Sequence, residues 1–268
     1  MIKKIIYGIF IFLGVGLLLF YVFQERFLFL NGKRVPKNMV YQFPQAFTEV
    51  NLKTADNETI NALHFTLEKP KGIILFFHGN KGNLQRWGTI VPYLLEYNYE
   101  VFVIDYRNYG KSTGSFNEAQ MYTDALLAYD YVKTKFPEDK IVVYGRSLGA
   151  TFATKVGAAN NPKHVVLEAP FYNLKRATQF YFALSPTFLV KYPLRTDKMI
   201  GNITSPITFF HGDDDRTTSF THSKELFDLV KSSQKEFVPI STGTHHNLKE
   251  FEVYQQKMKA LLSDSLEE

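Results

Sequence analysis

The sequence has no cysteine among its 268 residues. This absence excludes disulfide bonds, thiolate zinc sites and a cysteine nucleophile, although it does not indicate a compartment. The chain also lacks a basic stripe with interleaved aromatic residues: its formal net charge is only +5, and its lysines and arginines are scattered among acids. Nucleic acid is therefore not an expected partner. No internal repeat, low-complexity tract or long linker marks a second large domain, and a chain of this length can bury one large core.

Charge is missing altogether from one stretch near the N-terminus, the 19 residues from Ile5 to Phe23. As a helix rising about 1.5 Å per residue, this run covers roughly 28 Å, close to the hydrocarbon thickness of a bilayer. It is long for a signal peptide and is followed by no small-residue cleavage site, and a buried core helix is disfavoured because the run is apolar on every face. We therefore predict an uncleaved membrane anchor over residues 1–30, followed by a linker over residues 31–46.

The charges that flank this anchor are nearly balanced. The amino terminus and two lysines precede it, and four basic residues follow: Arg26, Lys33, Arg34 and Lys37. The positive-inside rule then gives only a weak preference, for an N-terminus in the cytoplasm. We expect a single-pass membrane protein with its domain on the non-cytoplasmic side.

Downstream of the linker, the hydrophobic pattern predicts alternating strands and helices. "FTEVNLKT" and "TINALHFTL" alternate polar and apolar residues around the turn-like "ADNE", which predicts an antiparallel hairpin. Six short apolar runs follow, "IILFF", "VFVI", "IVVY", "VVL", "ITFF" and "FVPI", with helix-length segments between several of them. Residues 47–268 should therefore form one α/β domain, with a mainly parallel eight-stranded sheet and helices on both faces.

Polar residues follow several of these runs, at the edge of a parallel sheet where reactive groups collect. "IVVYGRSLGATFATKVG" contains the pattern G-x-S-x-G, in which Gly145 and Gly149 permit a sharp strand-to-helix turn that exposes the Ser147 hydroxyl. The backbone N–H of Leu148 would then face a developing oxyanion. A second N–H is expected from Asn80, in the loop where Gly79 permits close approach.

A serine hydroxyl needs a histidine to take its proton and a carboxylate to orient that histidine. The run Asp213–Asp215 and the adjacent pair His245 and His246 supply candidates, in the chain order Ser, Asp, His. No metal-binding spacing is present, so neither a metal nor a cofactor is expected.

Six motifs in order, "FFHGNKGN", "DYRNYGKSTG", "GRSLGA", "LEAPF", "HGDDD" and "THHNL", resemble those of the α/β-hydrolase superfamily. Within it the chain resembles the small membrane-anchored, ABHD-type serine hydrolases, which are depalmitoylase-like, and their fungal and bacterial relatives. The resemblance runs from about Phe47 to the C-terminus. It implies Asp215 as the catalytic acid and His246 as the base, while the residues themselves leave Asp213 or Asp214 and His245 as alternatives. The segment 172–193 is too short for a large lid, so a small or absent cap is expected.

Two positions depart from the family pattern. The family usually has valine-proline shortly after the catalytic aspartate, where this chain has "RTTSF", and glycine in D-Y-R-G-Y-G, where Asn108 stands here. Both departures fall in loops near the expected site.

The expected function is that of a membrane-anchored serine hydrolase that cleaves carboxylic esters or thioesters, acyl or lipid-like, through an acyl-enzyme. Aromatic residues in the segment 172–193 could wall an apolar acyl pocket, although they could equally be ordinary core. A peptidase or an acyltransferase with the same triad is an alternative. A non-catalytic, membrane-tethered binding protein is the alternative from a different class.

Overall fold

The computed structural model describes residues 2–30 and 35–263, and within these ranges the chain forms one sheet of eight strands. The strands are β1 Phe47–Lys53, β2 Thr59–Phe65, β3 Gly72–Phe77, β4 Tyr99–Ile104, β5 Ile141–Arg146, β6 His164–Glu168, β7 Ile207–Gly212 and β8 Lys235–Ile240. Their order in the sheet is β1-β2-β4-β3-β5-β6-β7-β8.

The sheet is antiparallel at one end and parallel elsewhere. β1 and β2 form the predicted hairpin, with Lys53 opposite Thr59, and β2 also runs antiparallel to β4. All the remaining neighbours are parallel, and the six apolar runs form β3 to β8. Every residue of β3, β4 and β7 is buried, as expected for strands that are covered on both faces. The predicted mainly parallel sheet is confirmed.

The described α-helices are α1 Ile2–Leu28, α2 Leu84–Ile90, α3 Glu118–Lys133, α4 Leu148–Gly157, α5 Leu174–Tyr181, α6 Thr196–Met199, α7 Phe220–Asp228 and α8 Glu252–Leu262. Short 3₁₀ helices span Val91–Tyr97, Glu138–Lys140, Thr187–Leu189, Ile200–Asn202 and Leu248–Glu250. Successive strand residues point to opposite faces, so Phe76 and Phe77 of β3 enter two separate apolar cores. Helices therefore cover both faces of the sheet, which is the α/β-hydrolase arrangement.

Helix α1 is long and apolar enough, by length and composition, to cross a membrane. Its segment Ile2–Arg26 has a hydropathy of 2.6, and none of its most apolar window is buried against the rest of the chain. The last turns of α1 contact the domain: Phe20 and Leu28 pack against its core. Phe29, just beyond the helix, is buried, and its ring stacks on that of Phe116 at 4.3 Å.

The predicted linker, 31–46, lies partly outside the described residues, which resume at residue 35. Its described part packs on the domain: Tyr41 is buried, and its hydroxyl donates to Asn61 Oδ1 at 3.0 Å. This stretch therefore holds the chain close to β2 after α1 ends.

Asn108 lies in the loop after β4 and has a φ of 63°. This left-handed conformation is the one that glycine adopts freely and that asparagine tolerates better than most other residues. Asn108 can therefore replace the family's glycine without a change in the path of the loop.

Candidate active site

Ser147 stands between the end of β5 and the start of α4 in a strained backbone conformation, with φ 53° and ψ −113°. Its backbone N–H donates to the carbonyl oxygen of Glu168 on β6 at 2.8 Å. A Cβ on Gly149 would lie 1.9 Å from the carbonyl oxygen of Phe77, and one on Gly145 would lie 2.5 Å from the carbonyl oxygen of Gly149. Both glycines are thus sterically required, and the predicted elbow is present.

Asp215 lies in the turn after β7 and is almost fully buried. Its Oδ1 accepts hydrogen bonds from the backbone N–H groups of Thr217 at 2.7 Å and Thr218 at 2.9 Å. Burial alone would raise the pKa of Asp215, but hydrogen bonds from His211 and His245 outweigh burial and hold that pKa well below its usual range. Asp215 is therefore a carboxylate at neutral pH.

The histidine on this carboxylate is His245. Its Nδ1 lies 2.7 Å from Asp215 Oδ2, and its side chain is mostly buried. Its carbonyl oxygen accepts a hydrogen bond from Arg146 Nη2 at 2.7 Å, which fixes the loop against the end of β5. With Nδ1 donating to Asp215, Nε2 is the ring nitrogen left to act as a base.

His246, which we predicted to be the base, does not occupy that position. Its residue is classed as exposed by surface area. The pKa of its imidazole is lowered, first by the loss of some of its hydration and then by the electrostatic effect of the neighbouring His245 and Arg146. The cause is a tight turn in which Asn247 Oδ1 accepts both the N–H and the hydroxyl of Thr244, each at 2.8 Å. This turn directs His245 inward and His246 outward, so in the structure His245, and not His246, pairs with Asp215.

The two predicted oxyanion donors, Leu148 and Asn80, line the same pocket as Ser147. Leu148 is the first residue of α4, where a backbone N–H has no partner in the preceding turn of the helix. Asn80 follows Gly79 after β3, and its Oδ1 accepts hydrogen bonds from Leu30 N at 2.9 Å and from Tyr109 Oη at 3.0 Å. The Asn80 side chain therefore holds its loop, and the oxyanion role of its N–H stays a prediction.

Ser147 and His245 open into a pocket of about 970 Å³. Apolar side chains from two regions line it: Phe20, Leu28 and Leu30 from the N-terminal segment, and Phe171, Leu174, Tyr181, Phe182 and Leu184 from residues 171–184. Lys81, Arg86 and Arg146 also line it, whereas no Asp or Glu of the described residues does. A pocket of this character suits an acyl chain with a neutral or anionic remainder.

The sequence did not predict that side chains of α1 form part of the pocket wall. The one available signal was "FLFL", a second apolar group at residues 27–30, beyond the charged residues that end the span. In the structure this group contacts the domain, with Phe29 buried and Leu28 and Leu30 in the pocket wall.

The segment "RTTSF", which departs from the family pattern, contains Thr218, whose side chain contacts the candidate acid Asp215. Thr218 Oγ1 donates to Asp215 Oδ2 at 2.9 Å and lies 3.3 Å from His245 Nδ1. Thr218 is thus a candidate positioning residue, because it binds the same carboxylate oxygen that orients the histidine.

Replacing Thr218 by valine should lower kcat for a p-nitrophenyl ester by about tenfold and leave KM nearly unchanged, because a hydrogen bond to a charged acceptor contributes about 1.5–3 kcal/mol. Thr218→Ser keeps the hydroxyl and should restore kcat. Thr217→Val is the matched control, since Thr217 is exposed and reaches Asp215 through its backbone N–H. Equal kcat in Thr218→Val and wild type would remove Thr218 from the site.

Comparison with known proteins gives one family match and several relatives. The family described as "Serine aminopeptidase, S33" matches residues 68–196. Lysophosphatidylserine lipase ABHD12 of Danio rerio is 27% identical over 72% of this chain and 58% of its own. Protein bem46 of Schizosaccharomyces pombe is 28% identical over 82% of this chain and 77% of its own. Protein ABHD12B of Homo sapiens is 30% identical over 66% of this chain and 56% of its own. The chain thus spans little more than half the length of the two ABHD proteins.

A solved structure also matches the fold. The Pyrococcus furiosus esterase Pf2001 superposes with a TM-score of 0.68 over 86% of this chain and 98% of its own, at 20% identity. The sheet order, the elbow and this superposition show the α/β-hydrolase fold. By sequence the chain is similar to ABHD-type α/β-hydrolases, as its motifs predict.

Proposed function

We propose that this chain is a membrane-anchored serine hydrolase that cleaves acyl esters or thioesters through an acyl-enzyme, with Ser147, His245 and Asp215 as its triad. The observation that carries the proposal is the 2.7 Å contact between His245 Nδ1 and Asp215 Oδ2, in the same pocket as the elbow serine. Neither a metal nor a cofactor is needed for this chemistry.

The reaction runs in two halves. Ser147 Oγ attacks the substrate carbonyl carbon while His245 Nε2 takes the hydroxyl proton, and Asp215 stabilises the imidazolium that forms. The backbone N–H groups of Leu148 and Asn80 stabilise the oxyanion. His245 then gives its proton to the leaving alcohol or thiol, and a water molecule, deprotonated by the same histidine, hydrolyses the acyl-enzyme.

The lining of the pocket favours acyl substrates presented at a membrane, such as lysophospholipids, monoacylglycerols or acylated proteins. The apolar walls suit a hydrocarbon chain, and α1 would hold the site next to lipid. The name of one relative, a lysophosphatidylserine lipase, and that of a structural neighbour, an esterase, fit ester hydrolysis. We propose further that residues 1–30 anchor the protein by a single pass, with the hydrolase domain, residues 47–268, on the non-cytoplasmic side.

Aminopeptidase activity is the second candidate, because the matching family is described as a serine aminopeptidase. Binding the protonated amino terminus of a peptide requires a carboxylate near the reacting carbonyl. The described lining residues offer three basic side chains and no acidic one, so the pocket favours esters.

Reaction of the detergent-solubilised full chain with a fluorophosphonate, read by intact mass, tests the proposed nucleophile. We expect one adduct, together with turnover of p-nitrophenyl esters that increases with acyl length as the chain fills the apolar walls. Aminoacyl p-nitroanilides, assayed in parallel, should be poor substrates. A folded protein that takes no label and cleaves no ester would contradict the proposal, and a preference for the anilides would favour the peptidase.

A further inference from the structure

The end of helix α1 is bonded to the segment 172–193, which we call the cap segment. Gln24 is fully buried, and its amide is satisfied at both ends: Nε2 donates to Leu189 O at 3.0 Å, and Oε1 accepts from Lys191 N at 2.8 Å. One turn of the cap segment is thereby fixed to one residue of the helix. Tyr192 adds a hydrogen bond from its hydroxyl to Glu25 Oε1 at 2.5 Å.

The position of Gln24 along α1 sets how deep the bonded turn of the cap segment lies relative to a bilayer. Gln24 directly follows the uncharged run Ile5–Phe23, which covers roughly 28 Å as a helix and so nearly fills a hydrocarbon layer about 30 Å thick. Gln24 therefore lies at the boundary between hydrocarbon and headgroups when α1 spans a bilayer. Leu189 and Lys191, bonded to its amide, must lie at the same level.

Two cations support this placement. Lys191 Nζ lies 4.5 Å from the centre of the Tyr21 ring, and the Arg26 guanidinium lies 5.3 Å from that of Phe23. Lysine, arginine and tyrosine side chains collect at the membrane interface, where an apolar stem and a polar tip are both accommodated.

The cap segment carries a group of exposed apolar side chains beside this turn. We call them the cap patch: Phe180, Tyr181, Phe182, Leu184 and Phe188. Leu184 is 99% exposed and Phe188 is 74% exposed, and the 3₁₀ turn Thr187–Leu189 joins Phe188 directly to the residue that Gln24 holds. Large apolar side chains grouped in this way mark an interaction surface.

We propose that the cap patch is a second membrane contact, which lies in the bilayer surface next to α1 and makes the pocket open onto lipid. The occupant is the bilayer rather than a protein, because the patch is continuous with the span and is held at its boundary. Tyr181, Phe182 and Leu184 line the pocket together with Phe20 and Leu28 of α1. An acyl chain can thus pass from the bilayer into the pocket between the helix and the cap segment.

The part of this inference that concerns substrate entry rests on the proposed hydrolase function, whereas the membrane contact does not. The absence of cysteine from the chain makes a direct test of the contact possible. A single cysteine in place of Phe188, which does not line the pocket, can carry an environment-sensitive nitrobenzoxadiazole label. Val253→Cys is the matched control, since Val253 is 45% exposed on α8, whose buried residues pack in the core on the other face of the sheet.

The labelled full chains are reconstituted into phosphatidylcholine vesicles, with or without lipids that carry a doxyl quencher near the headgroup. We expect the label at position 188 to emit at shorter wavelength and to lose most of its fluorescence to the quencher, while the label at position 253 keeps its fluorescence. Equal, unquenched emission from both sites would overturn the proposal. A blue shift at position 188 that grows with protein density and resists the lipid quencher would also overturn it, by assigning the patch to a second copy of the chain.

A functional arm separates this inference from the hydrolase proposal. Phe188→Glu should lower hydrolysis of a long-chain ester presented in vesicles more than Val253→Glu does, while fluorophosphonate labelling in detergent stays at the wild-type rate. Lipid quenching of the fluorophore at position 188, in a chain that does not react with the fluorophosphonate, would retain the membrane contact and reject the hydrolase. Reaction with the fluorophosphonate, without lipid quenching at position 188, would retain the hydrolase and reject the membrane contact.

Discussion

Replacing Ser147 by alanine should lower ester turnover by at least about 10⁴-fold and abolish fluorophosphonate labelling, because no other group can form the acyl-enzyme. The effect should fall on kcat, since the apolar walls that bind the acyl chain are unchanged. Residual hydrolysis above the uncatalysed rate is expected from the oxyanion donors alone.

The same change should leave the fold nearly as stable as wild type. The strained backbone at position 147, φ 53°, is imposed by the pairing of its N–H with Glu168 and by the two glycines, which alanine does not disturb. The matched control is Ser223→Ala, which removes a fully buried serine hydroxyl from α7, outside the pocket. Thermal melts of both variants should resemble that of wild type, and only Ser147→Ala should lose turnover. Undiminished turnover in Ser147→Ala would remove the proposed mechanism.

The strands could be predicted because their burial is visible in composition. A run such as "IILFF" is apolar at every position only when both faces of its strand are covered, and β3 is buried throughout. The elbow could be predicted for a similarly local reason, since the close approach of Phe77 leaves no space for a side chain at position 149. In both cases the constraint acts on the residue that the pattern shows.

Contacts between distant segments could not be predicted in this way. The bond from Leu30 to Asn80, and the pocket wall formed by Phe20 and Leu28, depend on where α1 ends relative to the sheet. Neither periodicity nor spacing carries that information, so the sequence predicts α1 as an anchor alone. The structure makes its last turns part of the candidate site.

The choice between the two adjacent histidines depends on a single turn. Nothing in "THHNL" separates His245 from His246, and the family pattern selects the residue before asparagine. In the structure the Asn247 side chain accepts hydrogen bonds from the N–H and the hydroxyl of Thr244, and this closes the turn that contains both histidines. His245 then reaches Asp215, and His246 faces solvent at the pocket edge.

Alanine at each position in turn separates these assignments. His245→Ala should lower kcat/KM for a p-nitrophenyl ester by about 10⁴-fold or more, whereas His246→Ala should retain activity within about tenfold of wild type. Because the two side chains have the same chemistry and are neighbours in one loop, each variant is the control for the other. The rate of fluorophosphonate labelling should fall in parallel with kcat/KM, because it depends on the same activated hydroxyl.

The opposite result would have a specific structural meaning. If His246→Ala lost activity and His245→Ala kept it, the 244–247 turn would have to open in the working enzyme so that His246 replaces His245 on Asp215. Asn247→Ala, which removes the acceptor that closes this turn, would then raise activity or leave it intact. If His245 is the base, the same variant should lower kcat, because the turn that directs His245 inward is lost.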